Sequence, residues 1–250
     1  MDRAVMPEVL ASGPVALLFV AIHLSIGRLH RLDVVPRSAW LSFAGGTAVA
    51  YVFLHVLPEL AEHQQEFARH AFLGGFDTGV WIYAIALVGL AFYYGVERWA
   101  KLFEDRAKGE VEHETVLWVH TASFALYNLL IGYLLTEREP GEPWGLALYA
   151  VAMALHFVTT DHGMLRDHRA AYDRVSRWVL AGALLAGWAL GLATRLPFLA
   201  VGCLFAFLAG GVVLNVLKEE LPKERESRIG PFLVGAVFYA ALLLAESMIA

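Results

Sequence analysis

The sequence predicts an all-α, polytopic integral membrane protein: eight transmembrane helices in one transmembrane domain over residues 1–250, with both termini outside. Three observations predict it. Apolar residues are 58% of the chain and come in uncharged blocks at 11–27, 38–58, 79–96, 115–136, 143–160, 178–194, 196–217 and 229–245. Each block approaches the about 20 residues that a spanning helix needs. The second observation is where the cations fall. With the N-terminus outside, the inner side carries Arg28, Arg31, Arg37, Arg98, Lys101, Arg106, Lys108, Arg166, Arg169, Arg174, Arg177, Lys218, Lys223, Arg225 and Arg228. The outer side keeps only Arg3, Arg69, Arg138 and Arg195, so every loop obeys the positive-inside rule. Third, Trp40, Trp81, Trp99, Trp118, Trp144 and Trp178 stand near block ends, where interfacial anchors belong; only Trp188 is central.

The same composition excludes several classes. Eight spans leave no room for a soluble domain, and a net charge of −5 spread this way suggests no nucleic-acid partner. The one cysteine, Cys203, lies inside the seventh block, so no intramolecular disulfide forms. The leader MDRAVMPEVL is not basic and no small-x-small cleavage site follows the first block, which argues against a signal peptide.

In the first block His23 and Ser25 stand near the inner end. A lone histidine there reads as a packing or hydrogen-bonded residue before it reads as a ligand. The second block, AGGTAVAYVFLHVLPEL, offers Ala44-Gly45-Gly46 for close helix approach, and Pro58 to end or bend the helix near the outer surface. His55 and Glu59, four apart, share a face at the outer mouth and are the candidate substrate entrance. Glu59, His63, Glu66 and His70 continue at helical spacing; a solvated face of an outer helix is the reading preferred over a cation-gathering one. The third block is uniform, and the loop after it, ERWAKLFEDRAKGEVEHET, is mixed in charge with His113 its one histidine.

The fourth and fifth blocks, from Thr115 to Gly163, hold the polar groups. His120, Ser123 and Tyr127 fall on one helical face with Asn128 at its edge; Tyr149, Met153, His156 and Thr160 make a stripe on the next helix. Two stripes on adjacent helices are expected to face each other around a buried site. Asn128 and His156 differ in depth by about one helical turn, and His120 and Asp161 lie about level nearer the cytoplasm. His156 and Asp161, five apart, point about 140° away from each other on a regular helix. They share an ion only if the helix distorts near Thr159-Thr160; otherwise Asp161 is expected to pair with an arginine of the following loop. The candidate metal set is Asn128, His156, Asp161 and His120, a donor chemistry suited to zinc or another first-row divalent ion.

The sixth block carries Gly187 and Gly191 at packing spacing. The seventh, LAGGVVLNVLKEELPKE, repeats the second: Ala209-Gly210-Gly211 echoes Ala44-Gly45-Gly46, and Leu221-Pro222 echoes Leu57-Pro58 with the spacing one residue shorter. The two blocks point in opposite directions, as in an inverted-topology repeat of three, two and three helices.

In this order the pieces resemble the ZIP (Zrt/Irt-like) family of metal transporters. The closest local matches are Gly-Gly-Thr followed by Leu-His-x-Leu-Pro-Glu from Gly45 to Glu59, and Ala-Gly-Gly followed by Glu-Glu-Leu-Pro in the seventh block. The resemblance implies eight spans with both termini outside, a metal site on the fourth and fifth helices, and passage of a divalent cation, zinc most suitably, into the cytoplasm. The family's His-Asn-x-x-acid-Gly motif corresponds to Tyr127 through Gly132, where Asn128 and Gly132 match but Tyr127 and Ile131 replace the histidine and the acid. The His-Glu-x-Pro-His-Glu motif corresponds to His156 through Asp161, which keeps the first histidine and the final carboxylate. A two-metal centre does not follow from what remains; one cation site, or a vestigial one, does. The metal is then a substrate, not a bound cofactor, and no enzymatic activity is expected. The expected setting is the bacterial inner (plasma) membrane, with lipid, the cation and a second copy in a homodimer as partners. Two alternatives stay open: a structural or regulatory membrane protein on the same fold with a decayed site, and an intramembrane zinc hydrolase using His120, His156, Asp161 and His162.

Overall fold

A computed structural model describes residues 5–28, 39–70, 80–104, 110–137, 143–220 and 228–248, and every regular element among them is helical. Helix α1 (Val5–Ser25) closes in a 3₁₀ turn at Ile26–Arg28. Helix α2 (Ala39–Tyr51) passes through a π turn at Val52–Val56 into α3 (Leu57–His70). Next come α4 (Trp81–Glu104), α5 (Glu110–Leu134) and α6 (Pro143–Ala171). A second π turn, Tyr172–Ser176, leads into α7 (Arg177–Ala193), and α8 (Phe198–Glu220) and α9 (Ile229–Ser247) follow. Among the described residues four stretches, Ala39–Arg69, Glu114–Leu134, Tyr172–Ala193 and Phe198–Lys218, are long and apolar enough to cross a membrane; Ala11–Ser25 and Ile229–Ala245 are shorter apolar helices. Of the residues singled out in the loops, Arg3, Arg31, Arg37, Arg106, Lys108, Arg138, Leu221, Pro222, Lys223 and Arg225 lie outside the described residues, as do the side chains of Arg28, His70, His113, Arg166 and Arg169.

Pro58 neither ends nor interrupts its helix. Proline cannot donate to the carbonyl four residues back, and the π turn placed just before it widens the ladder where that bond is missing. The helix then runs on to His70.

Among the described residues three helix pairs meet backbone to backbone, and all three crossings have the same form. Gly46 of α2 abuts the Phe232 carbonyl of α9, and Gly235 of α9 abuts the Phe43 carbonyl of α2. Gly89 of α4 meets Phe207 of α8 while Gly210 meets Ala86; Gly132 of α5 meets Leu184 of α7 while Gly187 meets Leu129. Each glycine thus faces the carbonyl three residues before the partner's glycine. Without a Cβ the axes close to within reach of Cα–H···O contacts, which is how apolar helices associate where burial from water is no driving force. The Thr47 hydroxyl, near both the Phe43 and the Gly235 carbonyls at 3.1 and 3.2 Å, adds a polar tie to the first crossing.

The contacts also fix the sense of the helices. Ser42–Arg228, Thr47–Gly235 and Tyr51–Tyr239 run α2 parallel to α9. Gly89–Phe207 and Glu97–Lys218 run α4 parallel to α8, and Thr121–Ser176 and Gly132–Leu184 run α5 parallel to α7. Along α1, Phe19–Phe157 and His23–Asp161 run with α6, whereas Ser12–Trp188 and His23–Tyr172 run against α7. The chain therefore turns back between Asp161 and Tyr172. Eleven residues of straight helix would separate their Cα atoms by about 16 Å, yet the Tyr172 hydroxyl reaches the Asp161 carboxylate at 2.7 Å.

Candidate functional site: a buried polar node

The core is apolar and aromatic, built from side chains such as Phe19, Tyr51, Ile131, Met153 and Leu184. Inside it lies a set of polar groups drawn from three helices and a turn. His23 of α1 is fully buried; its Nδ1 lies 2.6 Å from Asp161 Oδ2 on α6, and its Nε2 lies 2.8 Å from Asn128 Oδ1 on α5. Asn128 is oriented by its own helix, its amide nitrogen donating to the Phe124 carbonyl at 2.9 Å. The Tyr172 hydroxyl, carried by the second π turn, donates to Asp161 Oδ2 at 2.7 Å and lies 3.2 Å from the His23 carbonyl. Asn128 and Asp161 are 2% and 1% exposed, so the whole node is shielded from solvent. Burying polar groups in an apolar core is costly unless their hydrogen bonds are made, and Asn128 and Tyr172 complete those of His23 and Asp161.

A second polar group stands on the other side of Phe157, whose ring lies 4.7 Å from that of His23 and 6.3 Å from that of His156. Here Tyr127 Oη is 3.0 Å from His156 Nε2, Thr160 Oγ1 is 3.5 Å from the same nitrogen, and Asn215 of α8 bonds the tyrosine hydroxyl. His156 Nδ1 is buried with no hydrogen-bond partner among the described residues. The stripes on α5 and α6 do meet, through Tyr127 and His156.

The four residues of the candidate metal set are thus divided. Asn128 and Asp161 come together, but through His23, and His156 belongs to the other group. Among the described residues Asp161 pairs with His23 and Tyr172, where a loop arginine was expected; the side chains of Arg166 and Arg169 lie outside them. The angular separation on the helix wheel is the reason: Asp161 faces α1, and His156 faces α5. His120 is partly buried about two turns before Asn128 on α5. Among the described residues no three His, Cys, Asp or Glu side chains gather in a way that would hold a metal ion, so the set His120, His156, Asp161 and His162 is not assembled.

No family model, curated protein or solved structure matches the chain.

At the other end, His55 and Glu59 do share a face, 3.5 Å apart and partly exposed, with Tyr51 stacked on the imidazole at 5.3 Å. The stripe beyond them is not a purely solvated face. His63 packs against Phe198 and Phe205 of α8, buried Gln64 accepts a bond from the Ile82 amide at 2.9 Å, and Glu66 pairs with Arg69. Helix α3 is therefore docked on the bundle through its histidine side. Past the third apolar block, Glu97 of α4 binds Lys218 of α8 at 2.8 Å and Lys101 at 3.0 Å. Burial pushes the Glu97 carboxyl up, but the hydrogen bonds and positive charge of the two lysines outweigh it and hold the group below the ordinary carboxylate range.

Sequence reasoning missed His23 and Tyr172. For His23 a signal existed: it stands near the inner end of the first block, at about the depth of Asp161, and depth matching would have paired them. Tyr172 carried none, because only the reversal of the chain brings it back to Asp161.

Proposed function

We propose that the chain is a ZIP-like membrane protein of eight spans that passes a divalent cation, zinc by donor chemistry, into the cytoplasm between α5 and α6. The spans would be α1, α2 with α3, α4, α5, α6, α7, α8 and α9. Their relative senses support this count: α2/α9, α4/α8, α5/α7 and α1/α6 run parallel, as spans of equal parity must, and α1 opposes α7. The three-two-three inverted repeat is supported by the crossings. Exchanging the first three spans with the last three turns the α2–α9 contact into the α8–α4 contact, and those two crossings have the same glycine geometry.

The observation that carries the function is the buried His23–Asp161–Asn128 node. An ionisable pair in the middle of an apolar helical bundle is expensive, and such groups mark ion or proton pathways. Its oxygens belong to the two helices on which the family resemblance places the metal. A specific observation favours the alternative of a non-transporting protein with a decayed site. Tyr127 and Ile131, at the positions of the family's missing ligands, are 1% and 0% exposed and serve as core packing.

Zinc uptake in a metal-starved bacterial host decides between them. Asp161→Asn and Asn128→Ala are expected to abolish uptake at unchanged membrane levels. Uptake like that of the parent in both variants removes the node from the path. No uptake by the parent protein leaves the decayed-site reading.

A further inference from the structure

A row of rings leads from the partly exposed His55–Glu59 pair to the buried polar groups. The Tyr51 ring of α2 stacks on the His55 imidazole at 5.3 Å and meets the Tyr149 ring of α6 edge to face at 6.3 Å. Tyr149 leads to Phe19 at 6.2 Å, and Phe19 to Phe157 at 5.0 Å, the ring that stands between His23 and His156. Exposure falls at a single step of this row. The side chains of His55 and Glu59 are 22% and 27% exposed, whereas Tyr51 and Tyr149 are 3% and 4% exposed. Tyr51 lies about one turn inside His55 on its own helix, and Tyr149 begins the α6 stripe that runs through Met153 to His156. The two tyrosines are therefore the first buried layer inside the mouth, and they belong to different helices.

We propose that the outer half of the cation path runs between α2 and α6, and that the Tyr51–Tyr149 ring pair is its closure. The proposal rests on the cation-transport reading above and deepens it. Two rings packed edge to face form a dry layer, and a hydrated ion does not cross such a layer while it stays in place. Tyr51 has a means of leaving it. It is the last residue before the π turn, in which the Leu57 amide bonds the Val52 carbonyl five residues back. Such wide turns recur at functional sites, and they hold one residue more than an ordinary turn. Sliding this one past Tyr51 by one residue turns the side chain about 100° round the helix axis, off the Tyr149 ring. The mouth then opens onto Met153 and His156.

The test is the rate at which charged methanethiosulfonates reach a thiol placed just inside the pair. The reporter is Met153→Cys in a Cys203→Ser background, in the full chain in detergent; Met153 is 2% exposed. Tyr51→Phe keeps the ring and should leave the thiol slow to react. Tyr51→Ala is expected to raise the rate with a cationic reagent about tenfold or more over Tyr51→Phe, because it leaves a ring-sized gap in the layer. Adding Glu59→Gln should then slow the cationic reagent severalfold and leave an anionic one no slower, since the carboxylate stands at the entrance. Where Tyr51→Ala fails to fold, Tyr149→Ala or the milder Tyr51→Leu carries the comparison. A second reporter, Leu180→Cys, lies at a fully buried position away from the row and should stay unreactive throughout. Equal rates for Tyr51→Phe and Tyr51→Ala would overturn the proposal. So would a rise at both reporters, which is general loosening, or a rise indifferent to Glu59, which is entry from elsewhere. Zinc flux into vesicles separates this closure from the transport reading. A Glu59-dependent rise in Tyr51→Ala without flux by the parent removes transport and leaves the closure standing. Parent flux with a thiol indifferent to Tyr51 removes the closure and leaves transport standing.

Discussion

A single methyl group placed at a glycine crossing tests whether the helices truly meet backbone to backbone. In Gly187→Ala the new Cβ would lie 2.8 Å from the Leu129 carbonyl carbon and nearer still to its oxygen, more than half an ångström inside the 3.4–4 Å of ordinary contact. In Gly132→Ala it would lie 2.9 Å from the Trp188 nitrogen and 3.0 Å from the Leu184 carbonyl carbon. The obstacles are main-chain atoms, which cannot swing aside as a side chain can, so α5 and α7 must separate. Overpacking of this kind costs about 1–3 kcal/mol, and each lost Cα–H···O contact adds about 0.5–1 kcal/mol. Alanine's better helix propensity returns about 1 kcal/mol. The net is about 1–3 kcal/mol, a fall in melting temperature of roughly 3–10 °C for a chain of this size. Gly95 and Gly182 have nothing within 4 Å of a built Cβ, so their alanine variants should match or slightly exceed the parent. The double variant Gly132→Ala/Gly187→Ala should lose less than the sum of the singles, because the first methyl has already opened the crossing. Thermal melts followed by tryptophan fluorescence in one detergent measure all of these. Identical melts for Gly187→Ala and Gly182→Ala would refute the reasoning.

Three further outcomes are expected. A reporter fused after Ala250 should be active on the outer side only, and cytoplasmic activity would overturn the eight-span topology. Glu97, with its folded pKa depressed below 4.5, contributes stability that is fully present above the unfolded value and is lost as pH falls through the folded one. The parent's melting temperature should therefore drop from about pH 5 to about pH 3 more steeply than that of Glu97→Gln, and parallel curves would dismiss the clamp. Ile131→Glu should destabilise the metal-free protein by burying an unpaired carboxylate where exposure is now 0%. Combined with Tyr127→His it should raise zinc affinity and recover stability with added zinc, and dialysis with melts would show the absence of either effect.

The positions of the helices were legible because apolar blocks and helices share a cause: blocks 79–96 and 229–245 reappear as Trp81–Glu104 and Ile229–Ser247. Helices overrun their blocks at charged ends, where backbone hydrogen bonding continues while hydropathy does not. The wheel separated His156 from Asp161 correctly, and the meeting of the α5 and α6 stripes at Tyr127 and His156 follows from the same periodicity. What the wheel could not supply was the third helix. His23 is 138 residues from Asp161 and 105 from Asn128, and no local pattern records such a contact. Nor did any local signal mark the π turn that carries Tyr172, for Tyr172–Ser176 holds neither proline nor glycine.

The crossings also change the register of the proposed repeat, and the change has a consequence for the site. Sequence alignment of the two Ala-Gly-Gly stretches pairs Gly45 with Gly210 and leaves the following prolines one residue out of step. The crossings make Gly46 the equivalent of Gly210, since each abuts a carbonyl of the partner span and receives the reciprocal glycine. In that register Pro58 and Pro222 both fall twelve residues later, and Gly89 becomes the mate of Gly235. The exchange that equates α2–α9 with α8–α4 must also carry α5–α7 onto α6–α1. There the equivalence stops: the first of these is a glycine crossing at Gly132 and Gly187, and the second meets through Phe19–Phe157 and His23–Asp161. A glycine crossing leaves no space for a side chain between the axes, whereas the α1–α6 contact is built from side chains. The proposed repeat is thus broken where the buried His23–Asp161 pair is accommodated, which is the physical reason to place function there and not at its symmetric counterpart.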